Sequence, residues 1–138
     1  DHLTLMAGGA CKRTTKEILD NNEQWLTMNG QQIFKAAVTT MAAHAEKVAR
    51  DAELTLDQID WFIPHQANLR ISQYVQQLLG LSDNQVFNNI QKYGNTTAAS
   101  VPIALCEAWE AGKIKDGDLV CLAAFGSGFT WASALIRW

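Results

Sequence analysis

Trp61-Phe62-Ile63-Pro64-His65-Gln66-Ala67-Asn68 is the stretch on which the fold turns. The short apolar run Trp61-Phe62-Ile63 reads as a buried strand, and the polar residues after Pro64 open a helix. That helix carries an apolar stripe at Ile71, Tyr74, Val75, Leu78 and Leu79 and stops at Gly80, a natural left-handed C-cap. A second apolar run, residues 118–125, is continuous rather than alternating, the mark of a strand covered on both faces. Gly126-Ser127-Gly128 then turns the chain into residues 129–138, which predicts an antiparallel hairpin at one side of a sheet.

Outward from these stretches, residues 3–7 predict a first strand ended by Gly8-Gly9, and the polar stretch through Asn21-Asn22 predicts a surface loop. Asn29 is placed to cap a long helix in which Ile33, Phe34, Ala37, Val38, Met41, Ala45, Val48 and Ala49 recur at helical spacing to about Asp51. Val86-Phe87 predicts a short third strand. A helix after Asn95, built from the small residues Ala98, Ala99, Ser100 and Ala104, should approach its neighbours closely and end at Gly112, with Pro102 near its first turn. Strands and helices in this order imply an α/β domain, a mixed five-stranded sheet packed with helices.

The chain has 138 residues, enough for one domain that buries roughly two-thirds of its unfolded surface. With 11 basic and 14 acidic residues its net charge is -3, which does not favour nucleic acid or an anionic membrane surface. No apolar run approaches the roughly 20 residues of a membrane span, and no signal peptide is evident. Cys11, Cys106 and Cys121 are an odd number without paired spacing. Cys106 and Cys121 lie in apolar surroundings typical of buried thiols, which fits a reducing cytoplasm, and no metal site is expected from Cys11, His44, His65, Cys106 and Cys121. Asp1 leads directly into a strand-like alternation with no start methionine, so we expect one domain of a longer polypeptide.

Three segments carry candidate chemistry. His65 leaves the end of a strand, where α/β sheets bind ligands, although a lone histidine there also reads as structural. Asn95, in Tyr93-Gly94-Asn95-Thr96-Thr97-Ala98-Ala99-Ser100, is a ligand candidate or simply a turn and helix-cap residue. Gly126-Ser127-Gly128 reads equally as a hairpin turn.

Pro64-His65-Gln66-Ala67-Asn68, the Gly94-Asn95-Thr96 run thirty positions on, and Ala124-Phe125-Gly126-Ser127-Gly128-Phe129-Thr130-Trp131 together resemble the C-terminal half of the β-ketoacyl-acyl-carrier-protein synthase III family. The resemblance covers nearly the whole chain. It implies one half of the thiolase fold, with a nucleophilic cysteine supplied by an N-terminal half that this chain does not contain. It also implies a decarboxylative condensation of an acyl-CoA primer with malonyl carrier protein in fatty-acid synthesis. By the same resemblance, His65 and Asn95 donate hydrogen bonds to the malonyl thioester carbonyl as an enolate forms, which is an oxyanion hole. Phe125 shields the nucleophile, and the loop of Gly126, Ser127 and Gly128 gives a backbone N–H near Ser127 to the acyl-enzyme oxyanion; many members carry glycine where this chain has Ser127. Met28, Gly30, Phe34, Ala67 and Asn68 line a pantetheine tunnel, and Lys35 and Arg70 meet an acidic carrier protein. No metal or redox cofactor is implied, and a homodimer is. None of the three cysteines fits the nucleophile, so the chain alone is expected to be inactive. A synthase III-like enzyme of secondary metabolism (quinolone or polyketide) and a non-catalytic pantetheine-binding or assembly module remain open alternatives.

Overall fold

The computed structural model describes residues 2–138. Two short strands, β1 (Leu3–Leu5) and β2 (Leu26–Met28), pair antiparallel as a separate ribbon, Leu3 opposite Met28. The central sheet has three strands in the order β3 (Trp61–Pro64), β4 (Leu119–Gly126) and β5 (Thr130–Arg137). β3 runs parallel to β4, and β4 forms the expected antiparallel hairpin with β5, closed by residues 127–129.

The α/β class stands, and five strands form among the described residues, but they divide into a two-stranded ribbon and a three-stranded sheet rather than one mixed sheet of five. Val86 makes a single parallel bridge to Phe62 and Phe87 N–H donates to Phe62 O at 3.1 Å. The 3-10 turn Asp83–Gln85 before them leaves too little extended chain for a strand. Residues 3–5 find their partner in Leu26–Met28, a strand the sequence did not announce, and Gly8, at φ +99°, turns the chain soon after. The supposed loop through Asn21-Asn22 contains a helical turn, α1 (Lys16–Asp20), capped by Thr15.

Helix α2 (Gly30–Asp51) begins at its expected cap: Asn29 Oδ1 accepts the N–H of Gln32 at 3.2 Å. Such a cap contributes about 1 kcal/mol. Its face of Ala37, Val38, Met41, Ala42, Ala45 and Ala49 buries against α3 (Leu69–Leu79) and the sheet. The alternate residues Leu119, Cys121, Ala123 and Phe125 of β4 point into that core, while Val120 faces a second one with Ile63, Ile114 and the Ala104 and Ala108 side of α5 (Ser100–Glu110). A short helix, α4 (Ile90–Tyr93), leads into α5. Alternation on a pleated strand therefore places β4 between two apolar layers, which is why its sequence is continuously apolar. Pro102 sits in the first turn of α5, where its missing N–H costs no helical bond. Among the described residues, no helix is long and apolar enough to cross a membrane.

Candidate active site

The site is built where β3 and β4, being parallel, end side by side. Pro64 pairs with Ala123, and the next backbone N–H, that of His65, donates to Ala123 O at 2.7 Å. His65 is thus pinned at the C-terminal edge of the parallel pair, the edge at which α/β sheets expose chemistry. The start of α5 meets it there. Ser100 Oγ lies 2.5 Å from His65 Nδ1 and accepts the Gln66 N–H at 3.2 Å. His65 is half-buried, and burial lowers the pKa of its imidazole, favouring the neutral ring.

Gln66, only 2 % exposed, joins the two motif segments. Its Nε2 donates to Pro64 O at 2.7 Å, and its Oε1 accepts the N–H groups of Asn89 and Ile90 at 3.1 and 3.2 Å. The start of α4 is thereby fixed to the end of β3. Glu107 of α5 closes the other side, accepting from Asn89 Nδ2 at 2.8 Å, from Tyr93 Oη at 2.9 Å and from the Lys92 ammonium. The Lys92 ammonium, with Asn89 and Tyr93, holds the Glu107 carboxyl down at about 2, and the Glu107 carboxylate in turn raises the pKa of Lys92.

Between these anchors the chain passes through Gly94, at φ 69° and ψ -159°, a region essentially reserved for glycine. Asn95 follows on the surface, its Oδ1 accepting the Thr97 N–H at 2.9 Å. Thr97 takes a left-handed φ of 53°, and Phe129 in the β4–β5 turn takes 54°. Such conformations cost roughly 1 to 3 kcal/mol each in residues with side chains and cluster at functional sites. Thr97 lies in the turn that leads to Ser100, and Phe129 in the turn that closes β4 on β5.

In the β4–β5 turn, Gly126 is extended, Gly128 takes φ 75°, and Ser127 avoids the left-handed region; its carbonyl accepts the Thr130 hydroxyl at 3.0 Å. Phe125, buried, meets Phe129 edge-on with centroids 5.3 Å apart. Ala67 N–H donates to His65 O at 3.0 Å, and Asn68 caps α3 through the Arg70 N–H at 2.9 Å. Phe34 stands edge-on to Tyr74 of α3, 5.4 Å between centroids. Met28 and Gly30 lie exposed where β2 passes into α2, and no hydrogen bond joins them to the His65 segment among the described residues. Lys35 and Arg70 are exposed near the starts of α2 and α3 and form no ion pair among the described residues.

Cys121 is buried and its thiol is pushed up to about 12 by desolvation. Cys106, expected to be buried, is exposed on α5 because it faces away from the Ala104 and Ala108 side; Glu110 beside it raises its pKa. Cys11 is exposed in a loop. Neither Cys106 nor Cys121 is held as a thiolate, the form a nucleophile needs. Ser100 and the clamping role of Gln66 escaped the sequence, where the only signal was one hydroxyl in an Ala-rich helix start.

The model of the family described as 3-oxoacyl-[acyl-carrier-protein (ACP)] synthase III C terminal matches residues 49–138, a span that holds His65, Asn95 and the Gly126 turn. The chain belongs to this family. Over its whole length it is 48% identical to the beta-ketoacyl-[acyl-carrier-protein] synthase III of Roseiflexus sp. (strain RS-1), covering 42% of that protein. The crystal structure of 3-oxoacyl-[acyl-carrier-protein] synthase III from Aquifex aeolicus VF5 superimposes with a TM-score of 0.82 at 43% identity, over 86% of this chain and 38% of that one. That of the Pseudomonas aeruginosa PAO1 synthase III gives 0.87 at 32% identity, over 100% of this chain and 41% of that one. The chain thus spans about two-fifths of the length of the curated relatives it matches. Its mixed α/β architecture is that of the C-terminal half of these thiolase-fold synthases.

Proposed function

We propose that this chain is the C-terminal half of a β-ketoacyl-acyl-carrier-protein synthase III, and that it supplies the decarboxylating side of a Claisen condensation between an acyl primer and malonyl carrier protein. The observation that carries this reading is a shared arrangement of two side chains. His65 Nδ1 is engaged by Ser100 and Asn95 Oδ1 by Thr97, while His65 Nε2 and the Asn95 amide NH₂ make no hydrogen bond among the described residues. Two neutral donors on anchored segments suit an oxygen that gains charge during reaction.

In the reaction so assigned, the bond between the malonyl carboxylate and its α-carbon breaks, CO₂ leaves, and the electron pair moves onto the thioester oxygen as an enolate. His65 and Asn95 donate to that oxygen. The α-carbon then attacks the acyl thioester on a cysteine of the N-terminal half, and the cysteine thiolate leaves. A backbone N–H near Ser127 serves the acyl-transfer oxyanion, and Phe125 covers the nucleophile. Met28, Gly30, Phe34, Ala67 and Asn68 guide the pantetheine arm, and Lys35 and Arg70 meet the carrier protein. The complete synthase works as a cytoplasmic homodimer without metal or redox cofactor.

The test compares the complete synthase with this chain alone. Only the complete protein should form acyl-enzyme from acyl-CoA and condense it with malonyl carrier protein. Acyl transfer to Cys11, Cys106 or Cys121 in the isolated chain would refute the assignment of the nucleophile to the other half.

A further inference from the structure

We propose that the Ser100 hydroxyl is a positioning group that holds His65 in the tautomer carrying its proton on Nε2, by donating its own proton to Nδ1. The inference deepens the reading of His65 as an enolate donor and rests on it.

A serine hydroxyl has one proton to give and two lone pairs to receive. The Gln66 N–H takes one of those lone pairs at 3.2 Å, and Oγ lies 2.5 Å from His65 Nδ1. Among the described residues Ser100 Oγ has no third partner. Were Nδ1 protonated, Oγ would face two N–H donors, and its own proton would be left without an acceptor in a side chain 2 % exposed. Leaving a buried donor unmade is costly. With Nδ1 as acceptor, both buried donors are satisfied, Gln66 N–H to Oγ and Oγ–H to Nδ1, and the remaining ring proton sits on Nε2, free to meet a ligand.

The positions that make this choice are not adjustable. Ser100 opens α5, whose Ala104 and Ala108 pack on Ile63 of β3, and His65 is tied to β4 through its backbone. The hydroxyl therefore has a fixed place relative to the ring. Neighbouring positions 98, 99 and 104 are alanine, so packing alone does not call for a hydroxyl at 100. A tautomer is set by what the other ring nitrogen bonds to. The lowered pKa of His65 fits a ring that stays neutral and must choose a tautomer.

The test is long-range ¹H–¹⁵N correlation spectroscopy of the histidine-labelled chain at neutral pH, paired with half-reaction kinetics of the complete synthase. His65 should show protonated Nε2 and bare Nδ1; Ser100→Ala should give mixed tautomers and Ser100→Thr should restore one. In the synthase, Ser100→Ala should slow malonyl decarboxylation on the order of tenfold, short of the ~10²–10³ for losing an oxyanion donor itself. Acyl transfer should change by less than about twofold, and Ser100→Thr should recover the loss. Protonated Nδ1 in the unsubstituted chain overturns the proposal even if Ser100→Ala misfolds, and so does a folded Ser100→Ala with the tautomer unchanged. Should the tautomer respond while decarboxylation does not, Ser100 keeps its role and the enolate reading of His65 fails.

Discussion

At the scale of the residue, the site depends on short polar side chains whose inward ends are tied and on backbone that few residues can adopt. Gly94 is the sharpest instance. Its φ 69° and ψ -159° aim the following Asn95, and a Cβ there would meet no atom within 4 Å. Gly94→Ala therefore strains dihedrals rather than packing. Thermal unfolding should show a loss of roughly 1 to 3 kcal/mol, and decarboxylation in the complete synthase should fall more than acyl transfer does. Unchanged stability would mean that the turn relaxes and does not position Asn95. His65 and Asn95 stand out in the sequence as candidates because each sits in a local motif. Ser100 could not, since its partner lies 35 positions away and only the folded chain brings hydroxyl and imidazole together.

At the scale of the element, Glu107 staples α4 to α5 through Asn89, Lys92 and Tyr93. Its folded carboxyl lies at about 2 against an ordinary 4.5. A depressed carboxylate stabilises the fold above its unfolded value and loses that contribution as pH falls toward the folded one. Stability against urea should accordingly fall as pH drops from about 4.5 to 2, and Glu107→Gln should flatten that part of the profile; a parallel profile for the variant would remove Glu107 from the linkage. The long elements were legible because α2, α3 and β4 repeat their apolar positions over many residues. Helix α1 buries only Ile18 and β2 has every residue exposed, so neither leaves a periodic trace. Val86-Phe87 misled in the opposite sense: two adjacent apolar residues satisfy a strand pattern, but only one bridge forms.

At the scale of the whole molecule, one family covers the chain while the chain covers about two-fifths of its curated relatives. Leu5, Leu26 and Met28 of the β1–β2 ribbon and Trp25 beside it are all more than half exposed, so its apolar side chains find little cover within this domain. The sheet class could be read from the sequence, but its division could not, because strand pairing is decided by long-range register rather than by local pattern. The proposed carrier-protein docking is a property of the assembled surface. Lys35→Glu and Arg70→Glu should raise KM for malonyl carrier protein several-fold while leaving acyl-CoA use nearly unchanged, and added salt should shrink the difference. Equal, salt-independent losses with both substrates would place these residues outside the docking surface. The central claim, that His65 and Asn95 form a donor pair dedicated to the enolate, is tested most directly by following labelled acyl-enzyme formation and CO₂ release separately in His65→Ala and Asn95→Ala synthases of unchanged thermal stability. CO₂ release should fall by about 10²-fold or more while substantial acyl transfer persists; a fall of both half-reactions by the same factor would contradict it.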